Sequence, residues 1–123
     1  MDKGAEYYIK ELTRRLKEHN PYLILLFGSY AYGQPHEDSD IDILLVTNDD
    51  FMPKTYEELL EYRLRYRRQV RDIAMQVPLD LLIYSRPLFE RFKQLNTSFA
   101  EEILSKGITL YEGRNTRMAQ VRQ

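Results

Sequence analysis

Apolar residues recur along the chain in two patterns, one typical of amphipathic helices and the other typical of buried strands. Where they return every three or four residues between charged side chains, the pattern predicts a helix. Where they form a short continuous run bounded by turn residues, it predicts a buried strand. These patterns predict helices over residues 3–19, 54–75, 86–95 and 98–106, and strands over residues 22–27, 40–47, 79–84 and 108–111.

The order of these elements indicates an α/β or α+β domain with a sheet of about four strands flanked by helices. The first two strands are joined by a short connection and the next two by a long helix, which favours a mixed sheet. The last strand is expected at a sheet edge. Residues 1–112 are expected to form the domain, and the polar, basic residues 113–123 a C-terminal tail.

The stretch over residues 27–46 stands out from a simple strand–turn–strand pattern. The first apolar run breaks at Gly28-Ser29, which opens either a tight turn or one short helical turn. The second run carries Asp40 and Asp42, which point to the same face because side chains alternate along a strand. Their Cα atoms are expected about 6.6 Å apart, so both carboxylates can reach one metal ion or bridge two.

Asp80 is a third aspartate, within an otherwise apolar predicted strand. A buried carboxylate is unfavourable unless it is paired with a cation or bound to a metal. If the second and third strands are neighbours, Asp80 joins Asp40 and Asp42 in an all-oxygen cluster that suits Mg²⁺ or Mn²⁺. The alternative is that Asp40 and Asp42 begin their strand at the solvent rim and Asp80 is a charge at the sheet edge. The Gly-Ser pair upstream favours the metal site.

Gly28 and Ser29 allow a phosphate-binding interpretation and a purely structural one. Glycine lets a phosphate approach the backbone closely, and the Ser29 amide and hydroxyl can donate hydrogen bonds to an anion. The structural alternative is an ordinary strand-to-helix turn with Ser29 as the helix N-cap. A Gly-Ser pair alone favours the structural alternative.

Taken together, these motifs resemble the signature of the polymerase-β-type nucleotidyltransferase superfamily. That signature is Gly-Ser, a spacer, D-x-D and a later lone aspartate on a strand; here it is GSYAYG, then DID, then Asp80. The short length and the segment EEILSKGITLYE resemble the minimal nucleotidyltransferase (MNT) branch of the superfamily. Tyr32 stands where many relatives carry arginine.

The resemblance implies a role for each residue of the signature. Gly28 and Ser29 would hold the β- and γ-phosphates of a nucleoside triphosphate, expected to be ATP. Asp40 and Asp42 would bind two Mg²⁺ ions, and Asp80 would bind the catalytic ion and help to deprotonate the acceptor hydroxyl. The implied reaction is in-line attack on the α-phosphorus with release of pyrophosphate.

The resemblance also implies a partner, because minimal proteins of this branch are typically paired with a small helical HEPN protein as antitoxin and toxin. The antitoxin transfers AMP from ATP to a tyrosine of the HEPN ribonuclease, and the two are expected to form a hetero-oligomer. A chain of 123 residues has room for the catalytic sheet and little else, so the acceptor is expected on another molecule. The alternatives are transfer to a small molecule or to RNA, and a non-catalytic module that neutralises its partner by contact.

Composition narrows these alternatives in part. The net charge of −1 provides no global field for nucleic acid or a membrane surface, which disfavours RNA as the acceptor. The chain has no cysteine, which excludes disulfides and thiolate metal sites and fits a cytoplasmic protein. No apolar run approaches the ~20 residues of a membrane span, and the charged start lacks a signal-peptide pattern.

A run of arginines in the long predicted helix allows two interpretations. Arg63, Arg67 and Arg71 are spaced one helical turn apart and could form a patch for an acidic partner or nucleic acid. Alternatively, the run is a solvated flank with surface pairs such as Glu61 with Arg65. The solvated flank is the commoner arrangement for such a run.

Overall fold

The computed structural model describes residues 4–113 and contains, within that range, all the predicted helices and strands, the longest helix in two parts. The helices are α1 (Ala5–Lys17), α2 (Ser29–Tyr32), α3 (Tyr56–Arg67), α4 (Arg71–Ala74), α5 (Arg86–Gln94) and α6 (Ser98–Lys106). The strands are β1 (Leu23–Phe27), β2 (Ile41–Val46), β3 (Leu79–Tyr84) and β4 (Ile108–Glu112). No helix among the described residues is long and apolar enough to cross a membrane. Apart from residue 113, the predicted tail lies outside the described range.

The helix predicted over residues 54–75 is shorter than expected and interrupted. Thr55 caps the start of α3 by accepting a hydrogen bond from the Glu58 amide at 3.1 Å. A 3₁₀ turn over Arg68–Val70 then separates α3 from α4, and the Val70 backbone leaves the helical region (φ −124°, ψ 18°). The prediction of one continuous helix is therefore wrong. The apolar stripe did not reveal the break, because the Val70 side chain is buried there although its backbone is not helical.

The four strands form one mixed sheet in the order β3-β2-β1-β4. β1 runs antiparallel to both β2 and β4. β2 and β3 are parallel and are joined by the crossover that contains α3 and α4. The predicted mixed sheet is therefore confirmed, with β4 at one edge as expected and β3 at the other.

Helices cover both faces of the sheet, because β2 side chains alternate between two apolar clusters. Ile41 and Ile43 point to the cluster formed with α1 and the α3–α4 crossover. Leu44 and Val46 point to the opposite cluster, which α5 and α6 cover. The same alternation assigns Asp42, two residues before Leu44, to the α5–α6 face.

Polar caps determine where the two helices on this face begin. The Ser85 hydroxyl accepts a hydrogen bond from the Leu88 amide at 3.4 Å and donates one to the Phe51 carbonyl at 2.6 Å, so it is the N-cap of α5. The Thr97 hydroxyl accepts from the Ala100 amide at 3.1 Å and caps α6. These caps fix the first turns of α5 and α6 relative to the sheet.

Two arginines of α3 cover the exposed edge of β3. Arg63 Nε donates to the Ile83 carbonyl at 2.9 Å, and Arg67 Nη2 donates to the Leu81 carbonyl at 3.1 Å. The Arg63 guanidinium also lies 5.5 Å from the centre of the Tyr84 ring. An uncovered edge strand presents unpaired carbonyls to other chains, so these two side chains block such pairing.

Neither interpretation of the arginine run describes Arg63 and Arg67, whereas Arg65, Arg68 and Arg71 are exposed, as a solvated flank requires. Arg63 and Arg67 are bound to the edge of their own sheet, so they form neither a solvated flank nor a free basic patch. Within the described part of the chain, Arg65 does not pair with Glu61 but lies 5.6 Å from the centre of the Tyr62 ring.

Replacing both Arg63 and Arg67 by alanine uncovers the β3 carbonyls. We expect the free energy of unfolding to fall by about 1–2 kcal/mol and self-association to rise. Urea denaturation and light scattering after size exclusion measure the two effects. The control, Arg68→Ala with Arg71→Ala, removes the same charge from exposed positions of the same crossover. Equal self-association of the two double variants would contradict this role of Arg63 and Arg67.

Candidate active site

The candidate site lies at the end of the sheet where β1 finishes and β2 begins. These strands are antiparallel, and their register places Phe27 opposite Asp42. β2 and β3 are parallel, and there Asp42 is opposite Asp80. Asp42 and Asp80 are therefore neighbours on adjacent strands, and Asp42 lies against Gly28, which follows Phe27.

Asp40 lies just before β2, two residues from Asp42, so strand alternation puts both on the same face. Asp40 and Asp80 are exposed, whereas Asp42 is half-buried. The expectation that the second and third strands are neighbours is confirmed, and all three aspartates lie at one end of the α5–α6 face. The alternative was also correct in one respect, because Asp80 is a solvent-exposed charge on an edge strand.

The carboxylates of this end of the sheet affect one another electrostatically. The pKa of the Asp42 carboxyl is raised from 3.8 to about 6, first by burial and then by the negative charges of Asp80 and Asp40. All three causes favour the neutral acid. A cation held among the carboxylates would oppose them, because a nearby positive charge stabilises the ionised form.

The donors offered here are carboxylate oxygens, the ligands that Mg²⁺ and Mn²⁺ prefer. Among residues 4–113, no ion pair engages Asp40, Asp42 or Asp80. Within the same range, no three acidic, histidine or cysteine side chains converge closely enough to form a metal site as they stand. The aspartates thus fit a divalent ion in chemistry and backbone position, and binding one requires their mutually repelling side chains to rotate together.

Close packing connects Gly28 to the carboxylates. Its φ of 78° lies in the left-handed region, which glycine adopts without the steric penalty of a side chain. A Cβ atom at this position would overlap the Asp42 carboxylate. Two constraints therefore favour glycine at position 28. One is the positive φ of the backbone, and the other is the close approach of the Asp42 side chain.

Ser29 is the first residue of α2, a single helical turn. The cap residue of this turn is Gly28, and no side chain caps it, so the alternative with Ser29 as the N-cap is wrong. Within the described residues, no hydrogen bond occupies the half-buried Ser29 hydroxyl. This hydroxyl is available to a ligand beside the aspartates.

Two side chains of α6 lie next to this turn and were not predicted from the sequence. The half-exposed Phe99 ring meets the Phe27 ring edge-on, with 5.9 Å between their centres. The Lys106 Nζ lies 5.9 Å from the centre of the Tyr32 ring. In the sequence both residues belong to an ordinary amphipathic helix, and only the packing of α6 on the sheet brings them here.

A four-stranded mixed sheet with this Gly-Ser turn, D-x-D pair and third aspartate has the fold of polymerase-β-type nucleotidyltransferases. The sequence matches the family described as "Polymerase beta, Nucleotidyltransferase" over residues 10–116. The chain therefore belongs to this family, and the resemblance recognised in its motifs is confirmed.

Relatives in sequence carry a more specific name. A protein of Methanocaldococcus jannaschii, named as an inferred protein adenylyltransferase, is 35% identical over 111 residues, which cover 88% of this chain and 99% of that protein. A second protein of that organism with the same designation is 31% identical over 85 residues, which cover 69% of this chain and 74% of that protein. Similarity to adenylyltransferases thus extends over most of the chain.

Solved structures with a similar fold include two mutants of the toxin–antitoxin MntA-HpeT. A double aspartate-to-glutamate mutant gives a TM-score of 0.53 at 22% identity, covering 90% of this chain and 76% of that one. A tyrosine-to-alanine mutant gives a TM-score of 0.50 at 21% identity, covering 91% and 76%. At these identities the likeness is one of fold, and it confirms the predicted fold class.

Gly28→Ala is expected to lower the free energy of unfolding by about 2–3 kcal/mol, because the new Cβ both strains the backbone and displaces the Asp42 carboxylate. The control is Gly33→Ala, which also has a positive φ (80°) but has nothing within 4 Å of its added Cβ. It should lower stability by only about 1 kcal/mol. Chemical denaturation measures both variants, and equal losses would contradict the contact with Asp42.

The raised pKa of Asp42 predicts how the stability of the metal-free protein depends on pH. A carboxyl whose folded-state pKa exceeds its unfolded value contributes stability fully below pH 3.8 and loses it as the pH rises through about 6. Asp42→Asn should therefore be the more stable protein near pH 7, by about 1 kcal/mol once solvent screening is allowed for. Near pH 4 the difference should shrink.

Denaturation in EDTA across this pH range measures the effect. Asp38→Asn, at an exposed loop position, serves as the control and should follow the wild type throughout. An Asp42→Asn variant whose stability also follows the wild type at every pH would contradict a raised pKa of the Asp42 carboxyl, whether from burial or from the neighbouring charges.

Proposed function

We propose that this protein transfers AMP from ATP to a hydroxyl of a partner protein, with Mg²⁺ held by the aspartates. The observation that carries the proposal is the register that sets Asp42 beside Asp80 and against the Gly28 backbone. It places the Gly28-Ser29 turn next to carboxylate oxygens, the donors that a divalent ion prefers. Membership of the family and the relatives named as protein adenylyltransferases support transfer of an adenylyl group to a protein.

In this proposal each residue of the cluster has a separate task. Gly28 and Ser29 bind the β- and γ-phosphates, because the Ser29 hydroxyl is unused within the described residues and can donate a hydrogen bond to an anion. Asp40 and Asp42 hold two Mg²⁺ ions, for which Mn²⁺ can substitute. Asp80 completes the ligand set from the neighbouring strand.

The reaction is a substitution at the α-phosphorus. The acceptor hydroxyl oxygen forms a bond to this phosphorus while the bond to the α,β-bridging oxygen breaks, and pyrophosphate leaves. Asp80, which is exposed at the end of the sheet, accepts the hydroxyl proton. When bound, the divalent ions neutralise the charge that develops on the attacking and leaving oxygens.

The acceptor we propose is a tyrosine of a helical HEPN-type toxin, which makes this protein the antitoxin of the pair. Chains of similar fold in the toxin–antitoxin MntA-HpeT support this choice of partner. Asp40 and Asp80 are exposed, so an acceptor on another protein can approach them from solvent. The transfer would take place in the cytoplasm, within a hetero-oligomer of the two proteins.

The experiment incubates the protein with labelled ATP, Mg²⁺ and the product of the neighbouring gene. The partner should gain the mass of one AMP, and EDTA should abolish the transfer. Asp42→Asn and Asp80→Asn should each lower the rate by at least about a hundredfold, because each removes a charge from the reacting centre.

Asp50→Asn is the control for these variants. Asp50 follows β2 at the opposite end of the strand, where it pairs with Arg86 at 3.1 Å, and its variant should transfer AMP at the wild-type rate. Labelling of RNA or of a small molecule instead of the partner would contradict the proposed acceptor. Inhibition of the partner without any transfer would contradict the enzymatic proposal itself.

A further inference from the structure

We propose that Lys106, at the end of α6, binds the terminal phosphates of the nucleotide and positions them on the Gly28-Ser29 turn. The inference rests on the proposed function, because it assigns a further substrate contact to the same site. It concerns a residue outside the Gly-Ser and D-x-D motifs and contributed by a different helix.

The register between β4 and β1 brings Lys106 to the turn. Ile108 lies opposite Leu26, and Gly107 packs so closely that an added Cβ would lie 3.2 Å from the Leu26 carbonyl oxygen. Gly28 follows Leu26 by two residues, and Lys106 precedes Ile108 by two. The β1–β4 ladder ends at the pair of Leu26 and Ile108, and α6 ends at Lys106, so the end of α6 lies at the same end of the sheet as Gly28.

The Lys106 ammonium lies over the helical turn that follows. Its Nζ is 5.9 Å from the centre of the Tyr32 ring. Tyr32 is three residues after Ser29, so the two side chains lie on the same side of α2. Tyr32, Gln34, Glu102 and Lys106 line an open depression of about 430 Å³.

This depression lies on the face of the sheet that carries the aspartates. Tyr32 packs on the α5–α6 cluster, to which Phe27 and Leu44 also belong. Phe27 is in turn the register partner of Asp42. The aspartates and the depression thus lie on the same face of the sheet, with the Gly28-Ser29 turn after β1 between β2 and β4.

Lys106 can exchange its present partner for a phosphate. Its ion pair with Glu102 is long, at 3.9 Å, and 63% of the lysine side chain and 49% of the glutamate side chain are exposed. Such exposed pairs contribute little free energy. A terminal phosphate carries more charge than a carboxylate, and lysine binds it as a mobile point charge with three donors.

Displacement of a fluorescent ATP analogue, with Mg²⁺ and again in EDTA, measures binding of ATP and AMP. Lys106→Ala should weaken ATP binding about tenfold and leave AMP binding within about twofold, because AMP lacks the terminal phosphates. Lys106→Arg should retain ATP binding. Glu102→Gln should tighten it, because Lys106 loses its competing partner.

Lys10→Ala is the matched control. Lys10 forms the same type of pair, with Glu6 at 3.7 Å, on α1 and thus at the opposite face of the sheet. Its ATP binding should equal that of the wild type, and thermal unfolding verifies that every variant is folded.

Three results would overturn the inference. Unchanged ATP binding by folded Lys106→Ala, or equal weakening of ATP and AMP binding, would refute the role of Lys106 and leave the proposed function intact. Absence of ATP binding by the wild-type protein would refute both.

Discussion

The approach of the Asp42 carboxylate to the Gly28 backbone is the contact on which the arrangement of the site depends. It joins the end of β1 to the start of β2, where the antiparallel register pairs Phe27 with Asp42. A side chain at position 28 would displace the Asp42 carboxylate from this contact. The parallel pairing of β2 with β3 brings Asp80 next to Asp42. On the other side of β1, α6 ends just before β4 and places the Lys106 ammonium near Tyr32 of α2. Charges of opposite sign therefore lie on the two sides of β1.

The net charge of the chain is only −1, but its charged residues are unevenly distributed over the fold. Three aspartates lie at one end of the sheet, and the charges of Asp80 and Asp40 add to burial in raising the pKa of Asp42. The arginines that could have offset them are used elsewhere, since Arg63 and Arg67 of α3 cover the β3 edge. The concentration of negative charge is therefore a local property of the sheet end, and a bound cation would relieve it.

Local patterns were sufficient for most of the helices and strands. Ser85 at the start of α5 and Gly107 after α6 mark helix ends through chemistry that acts within a few residues, so their effect can be read from the sequence. The break at Arg68–Val70 was missed because Val70 fits the apolar stripe whether or not the helix continues. The role of Arg63 in covering the β3 edge was not predicted. Its acceptor, the Ile83 carbonyl, belongs to a strand 20 residues further along the chain, so no local pattern reveals the contact.

The order of the elements and the family motif can be read from the sequence alone. So can the shared face of Asp40 and Asp42, because side-chain alternation is a local property of a strand. The folded chain was needed to show that Asp80 lies opposite Asp42, that the Asp42 carboxylate packs against Gly28, and that Lys106 lies beside Tyr32. These arrangements depend on which strands pair and how α6 crosses them. Strand pairing and helix packing follow from burying both apolar faces of the whole sheet, and no single stretch of sequence contains that information.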